Sequence, residues 1–214
     1  LNLPKVHENL ICVNMDNYQR KIYDFIESKY IKTFQENSSA TVKDVLNKAK
    51  LIRLRQASIN PSLLMKPLRD TLEVNDNFGD IDPSYKYLNY DEFPDDSEIV
   101  KLIYDFEKVA IPSKFNATKD LLENDIFKRD EKAIIWTIFI QNAKELQKYL
   151  IDNKIKSKLL IGEVPQEERE TIIEKFNNPK NCEFNVVIAN PFSVSESISL
   201  HKGCRNAIYI ERDY

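Results

Sequence analysis

The stretch NVVIANPFSVSESISL, residues 185–200, opens as an unbroken apolar run, Val186-Val187-Ile188-Ala189. It then leaves through Asn190-Pro191 into a loop of serines that holds no glycine. A short apolar run closed by a turn signal reads as a strand covered on both faces, as in a parallel sheet lying between helices. Residues 132–137, centred on Ile134-Ile135, and residues 206–211, centred on Ala207-Ile208-Tyr209-Ile210, have the same character, and residues 157–161 supply one more candidate. Between them the spacing predicts helices over 97–110, 114–128, 142–152 and 165–177. Pro165 suits a first helical turn, and Glu167 and Glu168 place negative charge at the positive end of the dipole. Regular alternation of this kind predicts an α/β fold with a parallel sheet. Ligands of such sheets sit outside the carboxyl ends of the strands, so Thr137, Ile161-Gly162 and residues 190–199 are expected on one rim. A serine-rich loop there offers hydroxyls and amides to phosphate or ribose, and an ordinary hydrogen-bonded loop uses the same residues.

Upstream the pattern is different. Residues 7–14 have a short strand's apolar density, and Asp16-Asn17 offer caps to a helix over 18–34 whose Tyr18, Ile22, Phe25, Ile26 and Tyr30 share one face. A second helix is predicted over 42–57, ended by Asn60-Pro61. Residues 66–97, rich in Asp, Asn, Tyr and Pro, read as a loop or extension. The reading therefore divides the chain into a helical linker and insertion region over 1–110, with an acidic extension at 70–107, and an incomplete lobe over 111–214.

A length of 214 residues with 42% hydrophobic content suits a soluble globular chain. No apolar run reaches the roughly 20 residues that span a bilayer, and the first residues lack a signal peptide's basic start, so a cytoplasmic origin without membrane is the expectation. The net charge of −3 hides an uneven division: +6 over residues 1–69, −10 over 70–107 and +1 over 108–214. A basic first third is compatible with a phosphate-backbone partner and equally with solvated helix faces. Cys12, Cys182 and Cys204 are odd in number and far apart, which signals neither a disulfide framework nor zinc.

The chemistry that is absent narrows the function. Gly79, Gly162 and Gly203 are the only glycines, and none stands in GxGxxG or GxxxxGK[ST], so the chain has no phosphate-cradling P-loop of its own. His201 and Cys204 have an HxxC spacing, weak evidence for metal or thiol chemistry. Glu167-Glu168 and Asp95-Asp96 fall in segments expected to be solvated, not facing across a cleft. No catalytic residue and no metal ligand is assigned.

The order of motifs resembles the second half of a Swi/Snf-type ATPase, the DNA-translocating branch of the superfamily-two helicases. Leu3-Pro4-Lys5 followed by residues 17–23, with Gln19-Arg20, looks like that family's segment between its two motor lobes. Residues 51–57 with Asn60-Pro61-Ser62-Leu63-Leu64 are similar to its LRxxxxHPxLL helix, with Asn60 where histidine is usual. Residues 132–137 resemble the strand of motif IV. Leu160-Ile161-Gly162, Glu167-Glu168-Arg169 and Phe176-Asn177 resemble the passage after it. The opening stretch looks like motif V, with Ala189-Asn190 for Ser-Thr and with Ser195, Glu196 and Ser197 in place of the family's glycines.

The resemblance implies one RecA-like lobe of a two-lobed motor, preceded by a helical linker. ATP and Mg²⁺ would lie in the cleft between lobes, bound mainly by a first lobe missing from this chain, and double-stranded DNA would cross both. Motif VI would follow a strand like 206–211, so an end at Tyr214 suggests a fragment, inactive alone. By that analogy Thr137, Gly162, Ala189 and Asn190 contact nucleic-acid phosphates, and Glu196, Ser197 and Ser199 face the nucleotide cleft. The residues themselves also fit plainer roles: strand-end caps for Thr137 and Asn190, a turn for Gly162, a surface loop for Glu196 and Ser199. Arg169 could pair with Glu163 or Glu167, Arg53 and Arg55 could support the lobe interface or line a solvated face, and Gln19 reads as structural. A RecA-like interaction module without motor function and the C-terminal lobe of an RNA helicase are the alternatives. The acidic 70–107 insert is a candidate site for a protein partner.

Overall fold

The computed structural model describes residues 5–33, 51–65, 97–181, 183–193 and 199–212. Helix α1 spans Asn17–Thr33. Residues 51–59 form α2, followed by a 3₁₀ turn Pro61–Met65. Then come α3 (Ser97–Val109) and α4 (Ser113–Leu121), which continues through a π turn and a 3₁₀ turn to Arg129. The remainder alternates: β1 (Ala133–Trp136), α5 (Ile140–Asp152), β2 (Ser157–Leu160), α6 (Gln166–Asn177), β3 (Val186–Ala189) and β4 (Asn206–Tyr209). The sheet is wholly parallel in the order β2-β3-β1-β4, with Ile135 level with Ile188 on one side and Ile208 on the other. This is the RecA-like α/β architecture, with a mainly helical segment before it.

Strand alternation sends successive side chains to opposite faces. Ala133, Ile135, Val186 and Ile188 meet α2, α4 and α5 through Ile59, Phe115, Leu122, Ala143, Leu146 and Leu150. Ile134, Val187 and Ala189 meet α6 through Ile172 and Phe176, which stacks on Phe184. All four residues of β3 are buried, as a strand covered on both faces requires. In β4, by contrast, Ala207 and Tyr209 are exposed, so this edge strand lacks the double cover its apolar run predicts.

The helical segment has its own core. Ile99, Ile103 and Phe106 recur at helical spacing on α3 and close on Ile22 and Ile26 of α1. Helix α2 and its 3₁₀ turn contribute to both cores, Ala57 and Leu64 to this one, Ile52, Ile59 and Leu63 to that of the sheet. Asp16 caps α1, its Oδ1 accepting from the amides of Tyr18 (2.7 Å) and Gln19 (3.0 Å). Gln19 is fully buried and bridges the two halves: its Nε2 donates to the Ala57 carbonyl (3.0 Å), and its Oε1 accepts from the Ser113 amide (3.1 Å). Asn60 makes a further link, donating to Glu145 Oε2 of α5 at 2.5 Å.

Two sequence expectations change. Residues 7–14 form no strand; they run irregularly with Leu10 93% exposed, because no neighbouring backbone among the described residues completes a ladder with them. Arg53 is buried, not solvated, and donates to Gln56 Oε1. Most of the acidic extension and the start of the predicted 42–57 helix lie outside the described residues. Among the described residues no helix is long and apolar enough to cross a membrane.

Candidate nucleic-acid interface

The rim at the carboxyl ends of the strands is built by backbone continuation. The Thr137 amide donates to the Ala189 carbonyl, the Asn190 amide to that of Leu160 and the Ile210 amide to that of Trp136, so the parallel ladder persists one residue past the strands. Thr137, Ala189 and Asn190 therefore sit side by side there, all fully buried. Asn190 Nδ2 donates to the Ile138 carbonyl (2.8 Å), while its Oδ1 accepts from the Phe192 amide (2.8 Å), a side-chain turn that redirects the chain. Gly162 lies exposed in the turn after β2, beside the first turn of α6, and its φ is not positive. The adjacent Glu163 receives the Lys144 ammonium at 2.7 Å. Arg169, half-buried on α6, donates through Nη1 to the Ser193 carbonyl (3.2 Å), holding the start of the serine loop.

A residue that the sequence reading passed over occupies the centre of this rim. Thr137 Oγ1 donates to Glu211 Oε1 at 2.6 Å and accepts from Asn142 Nδ2 at 3.1 Å. The Ile138 amide donates to the same Glu211 oxygen at 2.7 Å. Glu211 keeps some surface as a residue, but its Oε2 is enclosed with no partner, as is Asn142 Oδ1. Burial pushes the Glu211 carboxyl above its ordinary range, against the pull of the Thr137 and Ile138 hydrogen bonds and the Lys114 ammonium. Lys114 donates to the Ile210 carbonyl (2.8 Å), and burial lowers its pKa against the attraction of Glu211. Both shifts favour the neutral forms. The available signal for Glu211 was its position, an acid directly ending an apolar strand of a parallel sheet.

Of the residues expected at the nucleotide cleft, the described one, Ser199, is not brought to this rim. Ser199 lies at the opposite end, where α6 terminates: its carbonyl accepts from Asn177 Nδ2 (2.7 Å), and its hydroxyl meets His201 Nδ1 at 2.5 Å. Glu196 and Ser197 lie outside the described residues. At the same end Lys132 caps α6 by donating to the carbonyls of Phe176 and Asn178, which satisfies orphaned helix-terminal groups. Gly203 packs so closely that a Cβ would stand 2.2 Å from the Phe176 carbonyl oxygen. His201 and Cys204 point to different partners, Ser199 and the Lys132 carbonyl, and among the described residues no acidic, histidine or cysteine cluster could hold a metal ion. Trp136 is half-buried against the α6 side of the core.

Residues 113–201, which run from α4 through both rim turns, match the family described as helicase conserved C-terminal domain. The chain is 26% identical to the ATP-dependent helicase FUN30 of Saccharomyces cerevisiae, over 84% of this chain and 18% of that protein, so it spans about a fifth of the curated relative's length. Its fold is similar to the crystal structure of the C-terminal part of the Fun30 ATPase domain, with a TM-score of 0.64 and 21% identity over 99% of this chain and 76% of that one. It is also similar to the Sulfolobus solfataricus SWI2/SNF2 ATPase C-terminal domain, with a TM-score of 0.55 and 14% identity over 94% and 70% of the two chains. Residues 113–201 thus resemble a helicase conserved C-terminal domain in sequence, and the chain shares the fold of the C-terminal parts of the Fun30 and SWI2/SNF2 ATPases.

Proposed function

We propose that the chain is the second motor lobe of an ATP-dependent double-stranded DNA translocase, and that its sheet rim grips the DNA backbone. The observation that carries this reading is the rim itself: the matched family segment, residues 113–201, contributes the Thr137, Gly162 and Asn190 turns to one end of a parallel sheet. In this reading the exposed Gly162 turn and residues 191–193 approach phosphates, with Thr137, Ala189 and Asn190 shaping the floor beneath. Such contacts position a backbone without reading bases, so binding is salt-sensitive and independent of sequence.

The residues present do not fit ATP and Mg²⁺ by themselves. The sequence has no P-loop, and the described residues hold no acidic cluster, so nucleotide use is assigned to a first lobe. Ser199, turned toward the end of α6, is not assigned to the nucleotide. The acidic 70–107 segment as a partner surface and a cytoplasmic setting belong to the same proposal. A second reading, a RecA-like interaction module without motor function, is favoured by one observation: the Thr137 and Asn190 side chains are buried and hydrogen-bonded internally.

The test is fluorescence anisotropy of labelled duplexes, single strands and RNA duplexes over a salt series. We expect duplex DNA binding that weakens linearly on a log–log salt plot, tightens in Glu163→Lys and weakens in Lys144→Glu. Binding insensitive to salt and to both substitutions removes the rim from the interface, and a preference for RNA duplex selects the helicase alternative.

A further inference from the structure

The Glu211 carboxyl group is already seated on donors of the kind that hold anions. Its Oε1 takes the Thr137 hydroxyl proton and the Ile138 amide, both short bonds. The Phe139 amide acts on the carboxylate in the same stabilising sense. These donors lie where β1 leads into α5, a 13-residue helix whose N-cap, Phe139, has no side-chain capping bond. Lys114 adds a cation from α4. A hydroxyl, consecutive amides, an uncapped helix N-terminus and an ammonium are the groups that hold phosphate oxygens in proteins.

We infer that Thr137 and Ile138 form a cradle for a phosphate oxygen and that Glu211 is its built-in occupant, a carboxyl group that must leave before a nucleic-acid phosphate can enter. This rests on the reading of the rim as the nucleic-acid face. The occupant is held imperfectly. Oε2 is enclosed without a partner, and burial disfavours its charge, so displacement costs less than the two short bonds alone would suggest. While Glu211 is in place, the single hydroxyl proton of Thr137 is committed to it, and a carboxyl oxygen fills the position where a phosphate oxygen would come. A purely structural carboxylate capping α5 would use the same bonds, and the two roles differ in what removing it does.

The experiment uses the 214-residue chain, ¹⁵N-labelled, as wild type, Glu211→Ala, Glu211→Gln and the double variant Thr137→Val/Glu211→Ala. The Ile138 amide shift is followed with pyrophosphate, and duplex DNA affinity is followed over a salt series. In Glu211→Ala we expect the Ile138 amide to move with pyrophosphate and duplex binding to tighten roughly tenfold, about one charge-assisted hydrogen bond. The double variant should lose the gain. Glu211→Gln keeps the shape and an acceptor but cannot ionise, so a smaller gain is expected; it decides the matter if the alanine variant does not fold. An Ile138 amide that stays still in folded Glu211 variants, with unchanged duplex affinity, overturns the cradle while leaving the nucleic-acid reading standing. An Ile138 amide that moves with pyrophosphate while no variant binds duplex upholds the cradle and overturns that reading.

Discussion

Gln19→Ala tests how the helical segment is locked to the sheet. The Gln19 side chain is fully buried and makes two bonds of opposite sense, as donor to the Ala57 carbonyl at the end of α2 and as acceptor from the Ser113 amide at the start of α4. Truncation strands one carbonyl and one amide in the interior. Each buried group left without a partner costs about 1–3 kcal/mol, so the pair amounts to about 2–6 kcal/mol before any cavity is counted. Against the roughly 5–15 kcal/mol that holds a typical domain, this is a large fraction. The assay is urea unfolding followed in parallel by far-ultraviolet dichroism, which sees all the helices, and by fluorescence of Trp136, the only tryptophan, at the end of β1. We expect the dichroism midpoint to fall well below the fluorescence midpoint, because the helical segment loses its tie while the sheet keeps its own core. Gln19→Glu, which keeps the acceptor but sets an oxygen against the Ala57 carbonyl, should lose stability through that contact. A change under about 0.5 kcal/mol in Gln19→Ala, the range of ordinary surface substitutions, refutes the bridging argument.

Three further outcomes are expected. Gly203→Ala should lower the urea midpoint by an amount equivalent to about 1–3 kcal/mol or more, since its Cβ would stand 2.2 Å from a backbone oxygen that can only yield by moving the end of α6; an unchanged midpoint would show that the loop shifts freely. Lys154, which ends α5 at φ 66° with the Ile155 amide bonded back to the Leu150 carbonyl, is in the left-handed region. Replacing it with glycine should stabilise the chain by up to about 1 kcal/mol in a thermal melt, and destabilisation would mean that the lysine side chain contributes more than its backbone costs. For Glu211 the sign follows from its raised pKa: the native state holds the proton more tightly than the unfolded chain does. Stability is then lost as pH rises from the ordinary carboxyl value of 4.5 toward the raised one. The Tm difference between Glu211→Gln and wild type should grow with pH across that window and be flat below it; a difference that shrinks with pH contradicts dominance by burial.

Local signals carried much of the fold. The apolar runs at Ile134-Ile135 and Val186–Ala189 became strands because a run without alternation can only be satisfied between two helical layers. Asp16 capped α1 as its side chain predicts, and Pro165 preceded α6 by one residue, serving as its N-cap. Residues 7–14 failed because apolar density creates a strand only where a neighbouring backbone is supplied, and none is described beside them. For Arg53 the sequence left an interface role and a solvated face open, and packing buried it.

The candidate site divides along the same line. Thr137, Gly162 and Asn190 were legible as rim residues because a strand's carboxyl end follows directly from its own sequence. Ser199 was not, because it lies at the end of α6, where Asn177 Nδ2 donates to its carbonyl. The sequence by itself determined the alternation of helices and strands, the absence of a P-loop and the order of motifs, since these depend on neighbours in the chain. Only the tertiary structure decided the strand order β2-β3-β1-β4, the Gln19 bridge and the seat of Glu211 on Thr137 and Ile138. Each of these joins groups distant along the chain, and which distant donor meets which acceptor is set by packing alone.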